Sequence, residues 1–297
     1  HLTTHGGAME AVGVDGGSAA PAPEAAVERL GLLEALAKAY VERGLRRLYE
    51  WQATCLATPG VAEGRNLVYC APTSGGKTLV SEVLMLRRVW NLKKKAIFVL
   101  PYVSVVMEKT QYLKDLCRYT RISVKGFHGG SPDSIREHFD IAVCTIEKAN
   151  ALVNFLIEEG TLAEAIGTFV VDELHLVGDG SRGYLLEVTV SKVLYLAKDV
   201  QIIGMSATLP NVEDIARWIG GTLYSTTYRP VPLREFVLID RQLFNPDQSV
   251  ARALCEEGLS PEALGADPTG LIAATWEVTR EGHSVLVFCS SKVKCER

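Results

Sequence analysis

Short apolar runs alternate with longer amphipathic segments through the middle of the sequence, and this alternation constrains the fold most. Near-continuous Val, Ile, Leu and Phe is typical of strands that are buried on both faces of a parallel sheet. The predicted strands are Asn66–Ala71, Ala96–Pro101, Arg121–Phe127, Asp140–Thr145, Gly167–Asp172 and Val200–Met205. Helical patterns lie between most of them, at Lys77–Trp90, Val103–Tyr119, Ile146–Glu158, Gly183–Leu196 and Val212–Ile219. The predicted fold class is therefore α/β, with a doubly wound parallel sheet and helices on both faces.

The flanking regions differ from this pattern. Residues 1–25 are rich in Gly, Ala and Pro, which predicts either disorder or added non-native sequence. Residues 26–45 form a predicted helical segment, with a helix over Ala25–Tyr40. Residues 229–270 are predicted to form a connector, and 271–297 to begin a second α/β unit with a helix at Leu271–Thr279 and a strand at Ser284–Cys289. The first domain is expected at 46–228.

Composition limits the possible functions. The chain has 297 residues, 47% of them apolar, which is ample for a buried core. Its net charge of −4 argues against nucleic-acid binding through bulk charge, so any polynucleotide site must be local. The seven cysteines show no metal-ligand spacing and several lie in apolar runs, which predicts buried thiols and a reducing, intracellular compartment. No apolar run has the length of a membrane span, and no signal peptide is recognisable.

A glycine-containing loop connects the first predicted strand to a helix. It reads Ala71-Pro72-Thr73-Ser74-Gly75-Gly76-Lys77-Thr78. In a phosphate-binding loop, backbone N–H groups surround an anion at a helix N-terminus, the lysine reaches the β- and γ-phosphates, and the next hydroxyl binds Mg²⁺. Lys77 and Thr78 would have these roles. Ala71 replaces the usual first glycine, so a simple turn before a helix is the alternative.

Two carboxylates follow another predicted buried strand, in Phe169-Val170-Val171-Asp172-Glu173-Leu174-His175. The carboxyl ends of parallel strands share one edge of the sheet, where ligands of open α/β folds bind. Asp172 would hold Mg²⁺, and Glu173 would orient and deprotonate an attacking water. The alternative is a solvated helix start, where acidic residues are favoured. His175 alone indicates little.

A third polar segment, Ser206-Ala207-Thr208, follows the predicted strand at Val200–Met205. Its hydroxyls are expected at the same sheet edge as Lys77 and Asp172. Taken alone, the segment is more typical of a helix cap.

The ordered set of these three segments resembles the superfamily 2 helicases. Lys77-Thr78 is similar to their motif I, Asp172 to His175 to motif II in its DExH form, and Ser206 to Thr208 to motif III. Further similarity is to the Ski2-like group, and within it to the helicase domain of DNA polymerase theta and to the helicase Q family. The similar segments are Asp179 to Glu187, Arg229 to Leu233, and Val285 to Cys289 with Cys295-Glu296.

The resemblance implies roles for particular residues. Tyr49-Glu50-Trp51-Gln52 looks like the Q-motif, so Gln52 would read the adenine edge, while Thr73, Ser74, Gly75 and Gly76 would surround the phosphates. His175, Ser206 and Thr208 would couple γ-phosphate loss to domain motion. Leu100 to Ser104 with Glu108-Lys109, and Cys144 to Asn150, look like motifs Ia and Ib. Their residues expected to touch a nucleic-acid backbone are Pro101, Ser104, Thr145 and Lys148.

The resemblance also implies a fold, ligands and partners. It implies a RecA-like first domain, the start of a second one, ATP with Mg²⁺, single-stranded or forked DNA, and a role in nuclear DNA repair. The remainder of the helicase, with the rest of the second RecA domain and the accessory domains, would be a further partner. The family's motif VI, whose arginines contribute to hydrolysis, has no counterpart in the sequence, so a nucleotide- and DNA-binding module without turnover is the alternative. A P-loop kinase or a GTPase is disfavoured because a guanine-reading segment is lacking.

Other conspicuous residues have ordinary interpretations. The basic residues Arg43, Arg46, Arg47, Arg87, Arg88 and Lys93 to Lys95 are expected mainly on solvated surfaces rather than at phosphates. The tryptophans at 51, 90, 218 and 276 are expected to pack against neighbours rather than to stack on bases.

Overall fold

A computed structural model describes residue 27 and residues 30–130, 134–207 and 211–295. The predicted disordered segment at 1–25 and the predicted coupling residue Thr208 lie outside these residues. Among the helices that are described, none is both long and apolar enough to cross a membrane.

A 7-stranded parallel sheet forms the centre of the first part of the chain. Its strands are β1 (Leu67–Cys70), β2 (Lys95–Leu100), β3 (Val124–Phe127), β4 (Ile141–Thr145), β5 (Ile166–Val171), β6 (Gln201–Ser206) and β7 (Thr222–Ser225). They lie in the order β3-β4-β2-β5-β6-β1-β7. The predicted α/β class with a parallel, RecA-like sheet is confirmed.

Helices cover both faces of this sheet. They are α1 (Glu34–Glu42), α2 (Glu50–Leu56), α3 (Lys77–Leu92), α4 (Val103–Leu116), α5 (Ile146–Glu158), α6 (Leu162–Ala165), α7 (Gly180–Leu196) and α8 (Val212–Ile219). The sheet has two clusters of buried apolar residues, and alternate residues along a strand pack into one or the other. Leu67 and Tyr69 pack with α1 to α4, while Val68 and Cys70 pack with α5, α7 and α8. Burial on both faces explains why the strands are almost uninterrupted apolar runs.

The N-terminal helix differs from its prediction. The described helix begins at Glu34, after Gly31 with a φ of +65°, which is incompatible with a continuous right-handed helix. Residues 25, 26, 28 and 29 of the predicted helix lie outside the described residues. The third strand is also shorter than predicted and begins at Val124 instead of Arg121. The predicted burial of cysteine thiols is confirmed for Cys55, Cys70, Cys117 and Cys144.

A second compact unit begins at Val231. It contains a three-stranded antiparallel sheet of β8 (Val237–Ile239), β9 (Gln242–Phe244) and β10 (Val250–Ala253), and the helices α9 (Pro261–Gly265), α10 (Leu271–Arg280) and α11 (Lys292–Cys295). The small sheet lies in the segment predicted to be a connector, where no strand was predicted.

The predicted strand at Ser284–Cys289 is not formed. A strand needs a neighbour that takes up its backbone N–H and C=O groups, and no described strand pairs with this segment. Its apolar side chains are correspondingly exposed, Phe288 by 87% and Leu286 by 77%. The prediction of a strand is therefore wrong for this segment, because none of the described residues buries its apolar side chains.

Candidate functional site

The loop after β1 has a backbone that only particular residues can adopt. Ser74 has a φ of 63° and Gly76 a φ of 81°. A Cβ on Gly75 would lie 2.9 Å from the carbonyl oxygen of Pro72, and one on Gly76 would lie 2.7 Å from Nε2 of Gln52. Both glycines are therefore required by close backbone and side-chain approaches. Positive φ values and close backbone approaches of this kind are compatible with a loop that surrounds an anion.

Lys77 is the first residue of α3, and its ammonium group folds back over the loop. Its Nζ donates to the carbonyl oxygen of Ala71 at 3.0 Å and to that of Pro72 at 3.4 Å. The carbonyl oxygen of Lys77 accepts a hydrogen bond from the Tyr69 hydroxyl at 2.7 Å. Because Tyr69 lies on β1, the sheet holds the start of α3 directly. The positive charge is thus placed at the helix N-terminus, where the macrodipole also favours a bound anion.

The helix α2 holds the other side of the loop through two neighbouring residues. The Gln52 amide accepts from the backbone N–H of Tyr49 at 2.9 Å and donates to the carbonyl oxygen of Gly76 at 2.9 Å. The Trp51 indole N–H donates to the carbonyl oxygen of Gly75 at 3.1 Å. The sequence interpretation of Trp51 as a packing residue holds, since it is buried near Tyr69 and Tyr224, but its bond to the loop was missed. An indole N–H that is buried usually finds an acceptor, which was the available signal.

Asp172 and Glu173 follow β5, which is separated from β1 by β6 alone. Burial, and after it the charge of nearby Glu173, raise the pKa of Asp172 to about 6, although the hydrogen bond from the backbone N–H of Glu173 opposes the shift. A desolvated carboxylate of this kind gains strongly from a cation beside it. Glu173 itself has a φ of 51°, an unusual backbone conformation for a glutamate.

His175 connects the strand ends β5 and β6. Its Nδ1 lies 3.2 Å from Oε2 of Glu173 and 3.4 Å from Oγ of Ser206. With a proton on Nδ1, the ring donates to the Glu173 carboxylate, and Ser206 is a neighbouring hydroxyl. The structure therefore brings together Glu173, His175 and Ser206, as the sequence predicted for its second and third segments.

Thr78 and Asp172 could supply only two ligands of an Mg²⁺ ion, so phosphate and water oxygens would have to supply the others. Thr78 follows Lys77 in the first turn of α3, and Asp172 supplies a carboxylate at the same sheet edge. Within the described part of the chain, no group of three or more His, Cys, Asp or Glu side chains could hold a metal ion. Mg²⁺ commonly takes one or two protein oxygens and completes its shell with phosphate and water. The donor set therefore fits a magnesium–nucleotide complex.

A groove lies at the ends of β2 and β4, at the same edge of the sheet as the loop after β1. It has a volume of about 390 Å³, and its lining includes Pro101, Thr145 and Lys148, three of the four predicted nucleic-acid contacts. The fourth, Ser104, is exposed on α4 but does not line this groove. Thr145 caps α5, since its hydroxyl accepts from the backbone N–H of Lys148 at 3.4 Å. The groove also contains Arg182, for which the sequence predicted no role.

A buried carboxylate between α3 and α4 was not identified from the sequence. Glu82 is only 3% exposed, and its carboxylate accepts from Lys109 Nζ at 2.8 Å, from the Tyr40 hydroxyl at 3.0 Å and from the Tyr112 hydroxyl at 3.4 Å. We call these four residues the Glu82 cluster. A glutamate in an amphipathic helix is usually solvated, so only a structure could show it buried.

One of the basic residues expected on a solvated surface lies elsewhere. Arg88 is half-buried, and its guanidinium donates to the carbonyl oxygens of Gly167 at 3.2 Å and Asp199 at 3.3 Å. Both acceptors lie where β5 and β6 begin, at the sheet edge opposite the candidate site. Arg88 therefore fastens α3 to the sheet, and the surface interpretation is wrong for this residue.

Comparisons with known proteins agree with the geometry. The family model described as DEAD/DEAH box helicase matches residues 50–215. The chain is 44% identical to DNA polymerase theta of Mus musculus over 90% of its own length and 11% of that protein. It is 41% identical to the helicase POLQ-like of Homo sapiens, over 86% of the chain and 24% of the relative. It is 34% identical to the ATP-dependent DNA helicase Hel308 of Aeropyrum pernix, over 84% of the chain and 32% of the relative.

Solved structures show the same fold at low sequence identity. The helicase MrfA bound to DNA and AMPPNP superposes with a TM-score of 0.57 at 20% identity, over 68% of this chain and 30% of that one. Dbp5 of S. cerevisiae bound to RNA and ADP BeF3 gives a TM-score of 0.56 at 20% identity, over 69% of this chain and 52% of that one. The predicted relationship to the helicase domains of polymerase theta and helicase Q is confirmed. The chain, which spans a small part of these relatives, belongs to the DEAD/DEAH box helicase family.

Proposed function

We propose that this chain is the ATP-binding part of an ATP-dependent DNA helicase of the Ski2-like DExH type, which couples ATP hydrolysis to movement on single-stranded DNA. One observation carries the proposal: the phosphate-binding loop after β1, the acidic pair after β5 and Ser206 at the end of β6 lie at the carboxyl ends of three adjacent strands. Family membership implies ATP binding. A nuclear role in DNA repair, expected from the resemblance, belongs to the same proposal.

Each residue at this edge has a role that its chemistry supports. Lys77 exchanges its bonds to loop carbonyls for β- and γ-phosphate oxygens, and Gly75 and Gly76 let backbone N–H groups approach them together with Thr73 and Ser74. Thr78 and Asp172 would hold Mg²⁺ through their side-chain oxygens, and the ion would neutralise phosphate charge. Glu173 orients the attacking water and accepts its proton. His175 and Ser206, with Thr208, connect this site to domain motion.

Adenine selectivity is assigned to Gln52. Its amide is buried and hydrogen-bonded on both sides, to Tyr49 and to Gly76, so it is firmly placed beside the loop. A bound adenine edge would compete for the same donor and acceptor groups, which makes base recognition and loop position interdependent. The preference for ATP over GTP rests on the resemblance of Tyr49 to Gln52 to the Q-motif.

Nucleic-acid binding is assigned to the groove at the ends of β2 and β4. Pro101, Thr145 and Lys148 line it, and Ser104 lies on the adjoining helix. Contacts to a sugar–phosphate backbone at these residues predict binding that is independent of base sequence and weakened by salt. DNA is preferred to RNA because relatives with substantial identity carry DNA in their names.

Nucleotide binding tests the loop assignment. Titration of the chain with ATP or GTP in the presence of Mg²⁺ should show a clear preference for ATP. The variant Lys77→Ala should bind ATP at least tenfold more weakly, since a charge-assisted phosphate contact is typically worth about 1.5–3 kcal/mol. Lys114→Ala, which removes an exposed lysine on α4, is the control and should bind as the parent chain does. Equal affinity of the Lys77 and Lys114 variants would reject the loop as the site.

Hydrolysis tests the assignment of the base. Glu173→Gln keeps the size of the side chain but cannot accept a proton, so it should bind ATP normally and lose at least 100-fold of any DNA-stimulated turnover. ATP hydrolysis is measured with and without single-stranded DNA. If the parent chain binds both ligands but never turns over, the alternative of a binding module without turnover is correct. The residual activity of the parent sets the scale for the variant.

A further inference from the structure

Arg182 has a position that none of the roles above uses. Resting on the proposed function, we propose that Arg182 is a phosphate-binding residue of the nucleic-acid groove and that Glu147 occupies its guanidinium until a backbone phosphate displaces the carboxylate. The groove would then contain two cations for the polynucleotide backbone, Arg182 and Lys148.

The guanidinium joins the segments that form the groove. Its Nε donates to Oε1 of Glu147 at 3.0 Å, and one terminal nitrogen donates to the carbonyl oxygen of Pro101 at 2.5 Å. The guanidinium carbon lies 5.9 Å from the centre of the Tyr102 ring. Arg182 comes from the first turn of α7, Glu147 from the first turn of α5, and Pro101 from the end of β2. The hydrogen bond to the carbonyl oxygen of Pro101 positions the planar guanidinium group in the groove.

The carboxylate partner can be exchanged. The Arg182 side chain is 38% exposed and that of Glu147 is 52% exposed, so water reaches the pair. Exposed ion pairs typically contribute only about 0–1 kcal/mol. A guanidinium matches phosphate as well as carboxylate, because both present two oxygens to its parallel N–H groups. A phosphodiester entering the groove can therefore replace Glu147 at little cost, while the Pro101 bond is kept.

A purely structural role for Arg182 makes a different prediction. If Arg182 only fastens α5 and β2 to α7, then removing either member of the ion pair should loosen the groove and weaken nucleic-acid binding. If Glu147 competes with phosphate, removing its charge should strengthen binding. The sign of the effect at Glu147 therefore separates the two roles.

The experiment measures fluorescence anisotropy of a labelled oligothymidine of about 20 nucleotides, long enough to cross such a groove, over a series of salt concentrations. Arg182→Gln should bind about 5- to 10-fold more weakly and lower the slope of log affinity against log salt by roughly 1. Arg182→Lys should keep that slope while losing part of the affinity, because it keeps the charge without the fork. Glu147→Gln should bind roughly 2- to 5-fold more tightly, as expected for removing a like charge near phosphate.

Arg118→Gln is the matched control, because Arg118 is also an exposed arginine in an ion pair, with Asp115 on α4. It should change the affinity less than twofold, the scatter expected for a distant surface charge. Weaker binding by Glu147→Gln would overturn the proposal, and this variant decides the matter even if Arg182→Gln folds poorly. Failure of the parent chain to bind the oligonucleotide at low salt also overturns it. If the parent chain still binds ATP in that case, the nucleotide part of the proposed function remains supported.

Discussion

Two of the residues assigned to phosphate chemistry have unusual backbone conformations. Ser74 and Glu173 are both non-glycine residues with positive φ, at 63° and 51°. Such conformations cost free energy and persist where the surrounding structure imposes them, which is common at functional sites. Here the loop after β1 and the turn after β5 impose them at one sheet edge. At the scale of single residues, the protein therefore trades local stability for the position of its polar groups.

Gly76 offers the clearest test at this scale. Gly76→Ala adds a Cβ that would meet Nε2 of Gln52 at 2.7 Å, in a backbone with φ of 81°. The variant should lose the bond between Gln52 and residue 76, and ATP should bind roughly tenfold or more weakly, the equivalent of about 1.4 kcal/mol. Isothermal titration of ATP measures the effect.

Gly265→Ala is the control for this substitution, because a Cβ there meets no atom within 4 Å and its φ is not positive. It should bind ATP as the parent chain does. If Gly76→Ala also keeps full affinity, the contact between Gln52 and the loop has no part in nucleotide binding.

At the scale of elements, the Glu82 cluster fastens α3 to α4 and α1. The helix α3 begins at the loop after β1 and α4 begins at the groove, so this cluster links the helices that start at the two candidate sites. Glu82 is 3% exposed and Lys109 is 18% exposed, so their ion pair is largely protected from solvent. Breaking a buried pair by removing one partner leaves an uncompensated charge, which costs far more than the pair itself contributes.

Lys109→Met should therefore lower the free energy of unfolding by roughly 2–4 kcal/mol, because the buried Glu82 carboxylate would lose its counter-ion. Urea denaturation followed by circular dichroism measures the loss. Combining the change with Glu82→Gln should restore part of the stability, since a neutral amide still accepts from Tyr40. Lys114→Met, at an exposed position on the same helix, should alter stability by less than about 0.5 kcal/mol. A similar cost for both lysine variants would show that the cluster contributes nothing specific.

The helices and strands also show which structural features could be predicted from sequence patterns. The strands that carry the site were predictable because they are buried on both faces, and their order along the chain fixed which residues follow a strand end. The contact of Lys109 was not predictable. It belongs to the segment that resembles motif Ia, which suggests a place near nucleic acid, but its ammonium group donates to the buried Glu82 carboxylate. Likewise, Arg182 gave no sequence signal of its own, because its partners come from segments distant in the chain.

At the scale of the whole chain, the buried cores belong to the first unit. Both large clusters of buried apolar residues end by Tyr224, before the division between the two units at Pro230 and Val231. The second unit has few fully buried apolar side chains among its described residues, Leu254 and Ala273 being the buried ones. Most of the hydrophobic stabilisation must therefore come from the first unit.

A chain that ends at Pro230 should accordingly fold alone and bind ATP with unchanged affinity. Its thermal unfolding should remain cooperative, and a saturating ATP concentration of about 100 times the Kd should stabilise it by roughly 2.7 kcal/mol through preferential binding to the native state. Differential scanning calorimetry with and without nucleotide checks both points. Loss of cooperative unfolding after this truncation would show that the second unit is part of the first unit's fold.

The strand order has a consequence for synthesis of the protein. The strand that leads into the phosphate-binding loop, β1, pairs with β6 and β7, which follow it late in the first unit. While β1 leaves the ribosome, neither partner has been made, so its edges and the apolar side chains beside them are exposed. A nascent chain should thus be unable to bind nucleotide until Ser225 has emerged. Chaperones that bind extended apolar segments should therefore stay bound longest at Leu67–Cys70, the strand that leads into the loop.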